Sequence, residues 1–531
     1  MWTRLARRTD ALVDSRWTIP VAAAAAFLLR LPGLTRPIRA DEAGFLLVAR
    51  AWDPEPASVY GPYFVDRPPL LIATYGWADD MGGPLFIRLV GAVACALLVV
   101  AAAYVARLVA TETASRWTAL AVAAITSNIA INAVAVKGEL LALPLLMGSL
   151  WLALLAVRDR SWVYALGGGL LAGLALGFKQ NLVGGIVFTA VLFVASTLAG
   201  RIGLPDLVRL ALTASAGALV PLLGTVLWAR AAGVDLDALW YAVYGFRFDA
   251  AGVLASGSAE TETVRAALLV VSALGAGMLL VIGGFVVHIR GEWEDDAPLT
   301  AAVAGMLVVD VAGLVLGGSF WRDYLFPLLP ATALCAALLA RRHSKRGVAM
   351  RSVIAAAAVS TVVLLAGWAG YQALGLQEFD EVDTGEALHE AAAPDDTLVV
   401  FGGRADLQLT SGLPSPYEHL WSLPMRTLDP HLEDLVAVVT GPDAPTWIVE
   451  WVGFETWNDT AGEELAALVQ ERYVAHGAGC GTEPDHRRTI WLLRVTDRPV
   501  PEVDCHGGGV GGAAAGDQPS PVRTGTSPAR R

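Results

Sequence analysis

Only three lysines occur in 531 residues, at Lys137, Lys179 and Lys345, although Lys and Arg together number 38. Arginine is the default cation, so each lysine asks for its own reason. Four cysteines are too few for a disulfide scaffold, and eight scattered histidines add no Cys-rich or His-rich metal spacing. No Gly-rich phosphate loop follows a strand pattern; Gly167-Gly168-Gly169 lies inside an apolar run and reads as close helix packing. Nucleotide-driven chemistry has no visible engine. Charge is also scarce, with 17% Asp, Glu, Lys and Arg against 55% hydrophobic residues and a mean hydropathy of +0.53. That excludes a soluble chain of this length.

What is abundant is apolar sequence in membrane-length runs. A bilayer core of about 30 Å takes roughly 20 apolar residues per helix. Runs near 18–34, 84–110, 117–136, 139–157, 162–178, 182–200, 207–230, 264–289, 299–318, 322–340 and 350–371 predict a polytopic α-helical bundle of about eleven spans. The first run carries Arg30 and no small-residue cleavage signature, which fits a retained signal anchor. If Arg4, Arg7 and Arg8 are cytoplasmic, the breaks on that side fall near Arg116, Arg158 with Arg160, Arg201, Arg290, and Arg341, Arg342, Lys345, Arg346 and Arg351. All are basic, as short cytoplasmic loops tend to be. Opposite breaks hold Asp41, Glu42, Asp53, Glu55 and Asp66, then Asp235, Asp237, Asp249, Glu260 and Glu262. The expectation is a multi-pass plasma-membrane protein with its N-terminus cytoplasmic and its C-terminal part extracytoplasmic.

Three parts are expected: a membrane module over 1–371, an α/β domain over 372–505 and a disordered tail over 506–531. From 374 onward lie 26 of the 50 acids and 10 of the 38 bases, a net charge of −16 against +4 for the rest. This balance excludes a nucleic-acid partner, which needs a basic face. Thr397–Phe401, Thr446–Glu450 and Thr489–Val495 read as strands, with helix over Gly462–Tyr473. Cys95 and Cys335 fall in apolar runs, whereas Cys480 and Cys505 share the C-terminal part, where a bridge is left open. The Gly-rich and then Pro-, Ser-, Thr- and Arg-rich tail cannot bury a core.

The chemistry-bearing residues cluster at span ends on the acidic side. Asp41-Glu42 opens a short helical pattern over Ala40–Ala49, where acids also suit a helix N-terminus, so capping and catalysis both account for the pair. Asp41 has the stronger claim as a base, and Glu42 is a second catalytic candidate. In Asp66-Arg67-Pro68-Pro69-Leu70 the guanidinium suits a phosphate and the prolines stiffen its backbone, although an Asp66–Arg67 pair could simply finish the loop. Lys137-Gly138-Glu139 and Lys179-Gln180-Asn181 place compact cations on the side where positive charge is disfavoured, as anion ligands or as snorkelling side chains. Arg322-Asp323-Tyr324 opens the tenth run with the same ambiguity.

These motifs, in this order, resemble GT-C glycosyltransferases, and most nearly the branch of protein mannosyltransferases and aminoarabinose transferases. The resemblance covers about the first 340 residues, through Asp41-Glu42, Asp66-Arg67-Pro68-Pro69-Leu70, Lys179-Gln180 and Arg322-Asp323-Tyr324-Leu325-Phe326-Pro327-Leu328-Leu329-Pro330. It implies a polyprenyl-phosphate-linked sugar donor, an extracytoplasmic active site and a glycan, lipid or protein acceptor. By the same resemblance Asp41 is the essential acid, Arg67 contacts lipid-linked phosphate and Glu139 contributes to the site. Asp66, Lys137, Lys179, Arg322, Asp323 and Tyr324 complete the candidate substrate-binding set. The family often has Lys or His where Arg67 stands and His where Asp323 stands, so the donor's identity does not carry over. The resemblance leaves metal use open; the carboxylates could ligate Mg²⁺ or Mn²⁺, but a metal-free site is the expectation. Abundant Arg and Ala suggest a bacterial source. The competing reading is a carrier or flippase of a lipid-linked sugar, which would use the same charges for binding alone; no internal two-fold repeat supports it.

Overall fold

The computed structural model of the chain describes residues 13–255, 259–341, 345–483 and 486–505. Arg4, Arg7, Arg8, Arg342, the side chain of Glu260 and the 506–531 tail lie outside the described residues. The helices of the first part are α1 Thr18–Leu28, α2 Ala40–Arg50, α3 Pro69–Val109, α4 Glu112–Thr126, α5 Gly138–Asp159, α6 Trp162–Phe178, α7 Gly184–Leu198 and α8 Leu204–Ala231. Then come α9 Leu236–Trp240, a π turn Tyr241–Gly245, α10 Phe246–Ala255, α11 Ala259–Gly275, α12 Met278–Asp295 and α13 Ala297–Leu316. A 3-10 segment Arg322–Leu328 leads into α14 Leu329–Ala340, and α15 Lys345–Ala373 follows.

Every apolar run carries a helix, but the helices are unequal. Among the described residues six are long and apolar enough to cross a membrane alone, or seven if α11 and α12, bent by 80°, count as one span. Thr18–Gly33, α6 and α7 are shorter apolar helices. The run at 117–136 does not persist as one helix: α4 stops at Thr126, and the Asn128 side chain accepts from Ala130 N to start a separate 3-10 turn. The second span begins earlier than its apolar run. Gly82 and Gly83, with φ of 151° and 62°, and Pro84 break α3 into an outer stretch from Pro69 and a longer apolar stretch.

Small residues draw the helices together, as expected where hydrophobic burial gives little drive for association. A Cβ on Gly169 would lie 1.9 Å from the Ala214 carbonyl oxygen, and one on Gly217 2.0 Å from that of Leu166, so α6 and α8 touch backbone to backbone. The outward surface of α8 is apolar, with Leu212, Leu219, Leu223 and Leu227 exposed, which suits lipid rather than water.

The two ends of the bundle gather different charges. At one end Arg116 pairs with Asp14, Arg160 donates to the Arg201 carbonyl, Arg201 pairs with Asp296 at 3.0 Å, and Arg341 pairs with Glu292 at 2.9 Å. Breaks that are remote in sequence thus form one basic rim. The other end holds α2, the start of α3 and the residues between α4 and α5.

The C-terminal part packs onto that second end. Its elements are α16 Asp380–Ala391, β1 Leu398–Phe401, α17 Ala405–Ser411, α18 Ser422–Leu428, α19 Glu433–Thr440, β2 Trp447–Glu450, α20 Asp459–Arg472, β3 Tyr473–Glu483 and β4 His486–Leu493. The sheet order is β1-β2-β4-β3, with β1 and β2 parallel and the other pairs antiparallel. Alternation assigns Val399, Phe401 and Ile448 to the face covered by α19 and α20, and Leu398, Val400, Trp447 and Val449 to the face covered by α16 and α17. Both faces being covered, β1 and β2 are buried at every residue. Cys480 and Cys505 form a disulfide.

Candidate active site

The site begins with glycines that let backbones meet. A Cβ on Gly138 would lie 2.3 Å from the Phe178 carbonyl oxygen, so only glycine lets the start of α5 reach the end of α6. That contact sets Lys137 and Glu139 beside Lys179. Glu139 and Lys179 form an ion pair, with side-chain exposures of 4% and 9%, and the Lys179 ammonium lies 4.7 Å from the Tyr324 ring centre.

Lys137 is the hinge of the cluster. Its ammonium pairs with Asp41 at 2.6 Å and also with Asp323. Asn132, held in the left-handed region at φ 60°, donates to the second Asp323 oxygen at 2.7 Å. Three segments distant in sequence therefore converge on one ammonium: the first turn of α2, the entry to α5 and the 3-10 segment before α14.

Asp41 and Glu42 are neighbours in sequence with opposite surroundings. One residue of helix turns a side chain by about 100°, and Glu42 points inward. It is completely buried, pairs with Arg88 at 3.0 Å and accepts from Val136 N at 3.0 Å. Arg88 also donates to the carbonyls of Gly33, Arg36 and Pro37, tying the end of the first apolar run to α3. Glu42 is thus a clamp with both oxygens engaged, which answers the suggestion that it is a second catalytic acid. Asp41 keeps 32% of its side chain exposed, whereas Asp323 keeps 5% and Glu139 4%. Burial would raise its pKa, but the Lys137 and Arg67 charges outweigh that and hold it near 2, below the usual carboxylate range.

Arg67 pairs with Asp66 at 2.6 Å, stacks 5.7 Å from the Phe45 ring centre, and has its carbonyl fixed by the Tyr60 hydroxyl at 2.5 Å. Burial opposes its charge, yet Asp66 and Asp41 more than offset that and keep the guanidinium ionised. Gln180 donates to the Asp66 carbonyl at 3.2 Å, which links this segment to Lys179. Arg247, from α10, pairs with the same Asp66 carboxylate. Sequence reasoning missed it. The available signal was a single arginine among Trp240, Tyr241, Tyr244, Phe246 and Phe248 in an otherwise acidic stretch. Arg322 is exposed and makes no hydrogen bond or ion pair with a described residue, whereas its neighbours Asp323 and Tyr324 join the cluster.

Each acid here already has a cation, so cations and carboxylates alternate across the surface. Among the described residues no group of three His, Cys, Asp or Glu side chains is placed to share a metal ion. The arrangement can bind an anion by exchanging carboxylate partners, and it leaves one carboxylate, Asp41, open to a proton donor.

The C-terminal part roofs this surface. The Trp421 ring lies where a Cβ on Gly44 would stand, at 2.0 Å, and its ring centre is 5.9 Å from that of Phe45. Phe64 N donates to the Glu418 carbonyl at 3.1 Å, and Ser415 N to the Tyr63 hydroxyl at 3.0 Å.

No protein-family model matches the sequence, and no curated protein matches it. Solved structures do resemble it. ArnT from Cupriavidus metallidurans in the apo state superposes with a TM-score of 0.59 at 16% identity, covering 89% of this chain and 97% of that one. The same protein bound to undecaprenyl phosphate gives 0.60 at 14% identity, covering 90% and 98%. The apo oligosaccharyltransferase of Archaeoglobus fulgidus gives 0.52 at 14% identity, covering 89% of this chain and 75% of the other. The chain has the GT-C fold.

Proposed function

We propose that this protein is an integral-membrane glycosyltransferase that moves a sugar from a polyprenyl-phosphate donor to an extracytoplasmic glycan, lipid or protein acceptor. The observation that carries the reading is the exposed face of Asp41 beside Lys137 and Arg67, one carboxylate open to a hydroxyl within a set of phosphate-binding cations. The undecaprenyl phosphate bound by ArnT supports a donor of this class. The acidic outer breaks and the basic rim support an extracytoplasmic site and a cytoplasmic N-terminus.

In this mechanism Asp41 accepts the proton of the acceptor hydroxyl as its oxygen bonds to the anomeric carbon. The bond from that carbon to the phosphate oxygen breaks, and polyprenyl phosphate leaves with the bonding pair. Attack opposite the phosphate inverts the centre. The donor is a phosphodiester with one negative charge, and the departing monoester gains more. Arg67, Lys137 and Lys179, with Arg247 at the edge, therefore hold the transition state more strongly than the ground state. An arriving phosphate also draws Lys137 away from Asp41, which raises the basicity of a carboxylate that Lys137 and Arg67 hold near 2. Glu139 returns Lys179 to its place and orients hydroxyls, and Asp323 does the same for Lys137. No resident metal enters these steps.

The test incubates purified protein with a panel of polyprenyl-phosphate sugars and measures free polyprenyl phosphate. Release that requires Asp41 is expected. Binding without turnover across the panel, together with lipid flipping in liposomes, would instead establish the carrier reading.

A further inference from the structure

Beside the roof runs a groove with about 220 Å³ of open space, lined by Val253, Phe401, Arg426, Phe454, Trp457 and Asn458. Val253 lies on α10, the helix that carries Arg247 to the Asp66 carboxylate. Six residues of helix span about 9 Å. The groove thus includes a residue about 9 Å along α10 from Arg247, at the edge of the cation–carboxylate cluster.

Arg426, on α18, is the unusual member. Its guanidinium lies 5.8 Å from the Trp457 ring centre and donates to the Val253 carbonyl at 3.5 Å, and no carboxylate among the described residues pairs with it. Arg404, Arg488 and Arg498 of this part close on Asp406 at 2.8 Å, Asp380 at 2.9 Å and Asp396 at 2.7 Å, while Arg472 and Arg494, like Arg426, donate to backbone carbonyls, but away from the groove. Asp429 also lines the groove but is already spent. It accepts from the Tyr417 hydroxyl at 2.9 Å, Leu435 N at 3.0 Å and Asp434 N at 3.2 Å. A guanidinium held against an aromatic ring without a counter-ion costs desolvation energy that an anionic ligand would recover.

We propose that this groove binds the acceptor, an acidic oligosaccharide whose carboxylate sits on Arg426 and whose sugar ring lies against Trp457. The proposal rests on the glycosyl-transfer reading only for the word acceptor; the binding itself stands apart. From the groove, α10 leads back to Arg247 and the Asp66 carboxylate.

The test uses the full-length protein in nanodiscs, without donor, and titrates tetragalacturonate and neutral maltotetraose by calorimetry. Tetragalacturonate binds at least about tenfold more tightly than maltotetraose, and Arg426→Gln removes about tenfold or more of that affinity. Arg426→Lys keeps part of it. If Arg426→Gln fails to fold, Arg426→Lys and Trp457→Leu supply the same comparison. No binding of tetragalacturonate, equal affinity for the two probes, or full affinity in a folded Arg426→Gln protein overturns the groove. Protein that cleaves a donor but binds neither probe overturns the groove alone. Protein that binds tetragalacturonate but cleaves no donor sustains the groove and overturns glycosyl transfer.

Discussion

The two charged ends of the bundle teach different lessons about what an ion pair is for. At the basic rim Arg160, Arg201 and Arg209, which pairs with Asp206, keep side-chain exposures of 60%, 44% and 48%, whereas Arg116 and Arg341 keep 14% and 19%. At the other end Lys179, Glu139 and Asp323 keep 9%, 4% and 5%. Exposed pairs add about 0–1 kcal/mol, so the exposed pairs of the rim contribute little to stability. Buried pairs cost desolvation that stability alone does not justify. The rim holds one such pair, Arg341 with buried Glu292, whereas the second end gathers several around Lys137 and Lys179.

Within that end, Asp41 and Glu42 give the sharpest contrast, and breaking it yields the largest expected effects. Asp41→Asn removes the base and lowers the rate of transfer by about 10²–10⁴-fold, with a smaller fall in melting temperature than Glu42→Gln gives. A purified, folded variant that transfers at the wild-type rate sinks the assignment. Glu42→Gln strips the partner from buried Arg88 and destabilises by about 3–5 kcal/mol, read as a large fall in thermal stability. If that variant keeps its melting temperature and loses transfer as fully as Asp41→Asn does, the division of labour between the two acids is wrong.

The roof can be separated from the site it covers by pH. His419 is buried between Phe64 and Tyr417, and burial pushes its pKa down to about 4, although Asp429 pulls the other way. Its folded pKa is below the unfolded value of about 6.5, so the unfolded chain binds more protons between these values. Stability from this residue is complete above about 6.5 and is lost as pH falls toward 4. The loss is on the order of 3 kcal/mol at most. Burial raises the pKa of neighbouring Glu418, which works in the opposite direction over the acid range. Melting curves from pH 7 to pH 4.5 should therefore fall more steeply in the wild type than in His419→Phe. Parallel slopes would mean that the roof has no buried neutral histidine.

Much of the site was legible because the sequence is so poor in lysine and so rich in apolar runs. In that background Lys137, Glu139, Lys179 and Asp323 stand out at span ends, and a helix start explains why Asp41 and Glu42 are adjacent. What could not be read was helical phase, which turns Glu42 toward Arg88, a residue 46 positions on in another helix. Arg247 was hidden for a related reason: it reaches Asp66 from helix α10, which carries no motif of its own. In the fold, β3 escaped because His476, Gly477, Gly479 and Gly481 dilute its alternation, and its pairing with β4 supplies what propensity does not. The glycine contacts of α6 with α8 and of Gly138 with Phe178 depend on tertiary approach, so the sequence could signal close packing without naming the partner.

Arg247 sets the middle of the scale. Arg247→Ala leaves Asp66 with Arg67 and takes one cation from the edge of the proposed phosphate-binding set. The expected result is a rise of about tenfold in KM for the donor, with a smaller change in kcat because Asp41 and Lys137 remain in place. A fall in kcat with unchanged KM would put Arg247 on the reacting atoms and redraw the site around α10.

Arg201→Gln gives the smallest effect and is the control for the whole comparison. It breaks the 3.0 Å pair with Asp296 at the rim, where both side chains are partly in water, at exposures of 44% and 26%. An exposed pair of this kind is worth about 0–1 kcal/mol and is screened by salt, so melting temperature and transfer rate should barely move. Its informative readout is sidedness. A cysteine placed at exposed Arg201 should react with a membrane-impermeant thiol reagent only after the cells are opened, whereas one at exposed Arg50 should react in intact cells. Labelling of both positions from outside would remove the orientation argument. A large loss of activity in Arg201→Gln would show that charge at the rim is coupled to the site, and that burial is then not what separates the two ends.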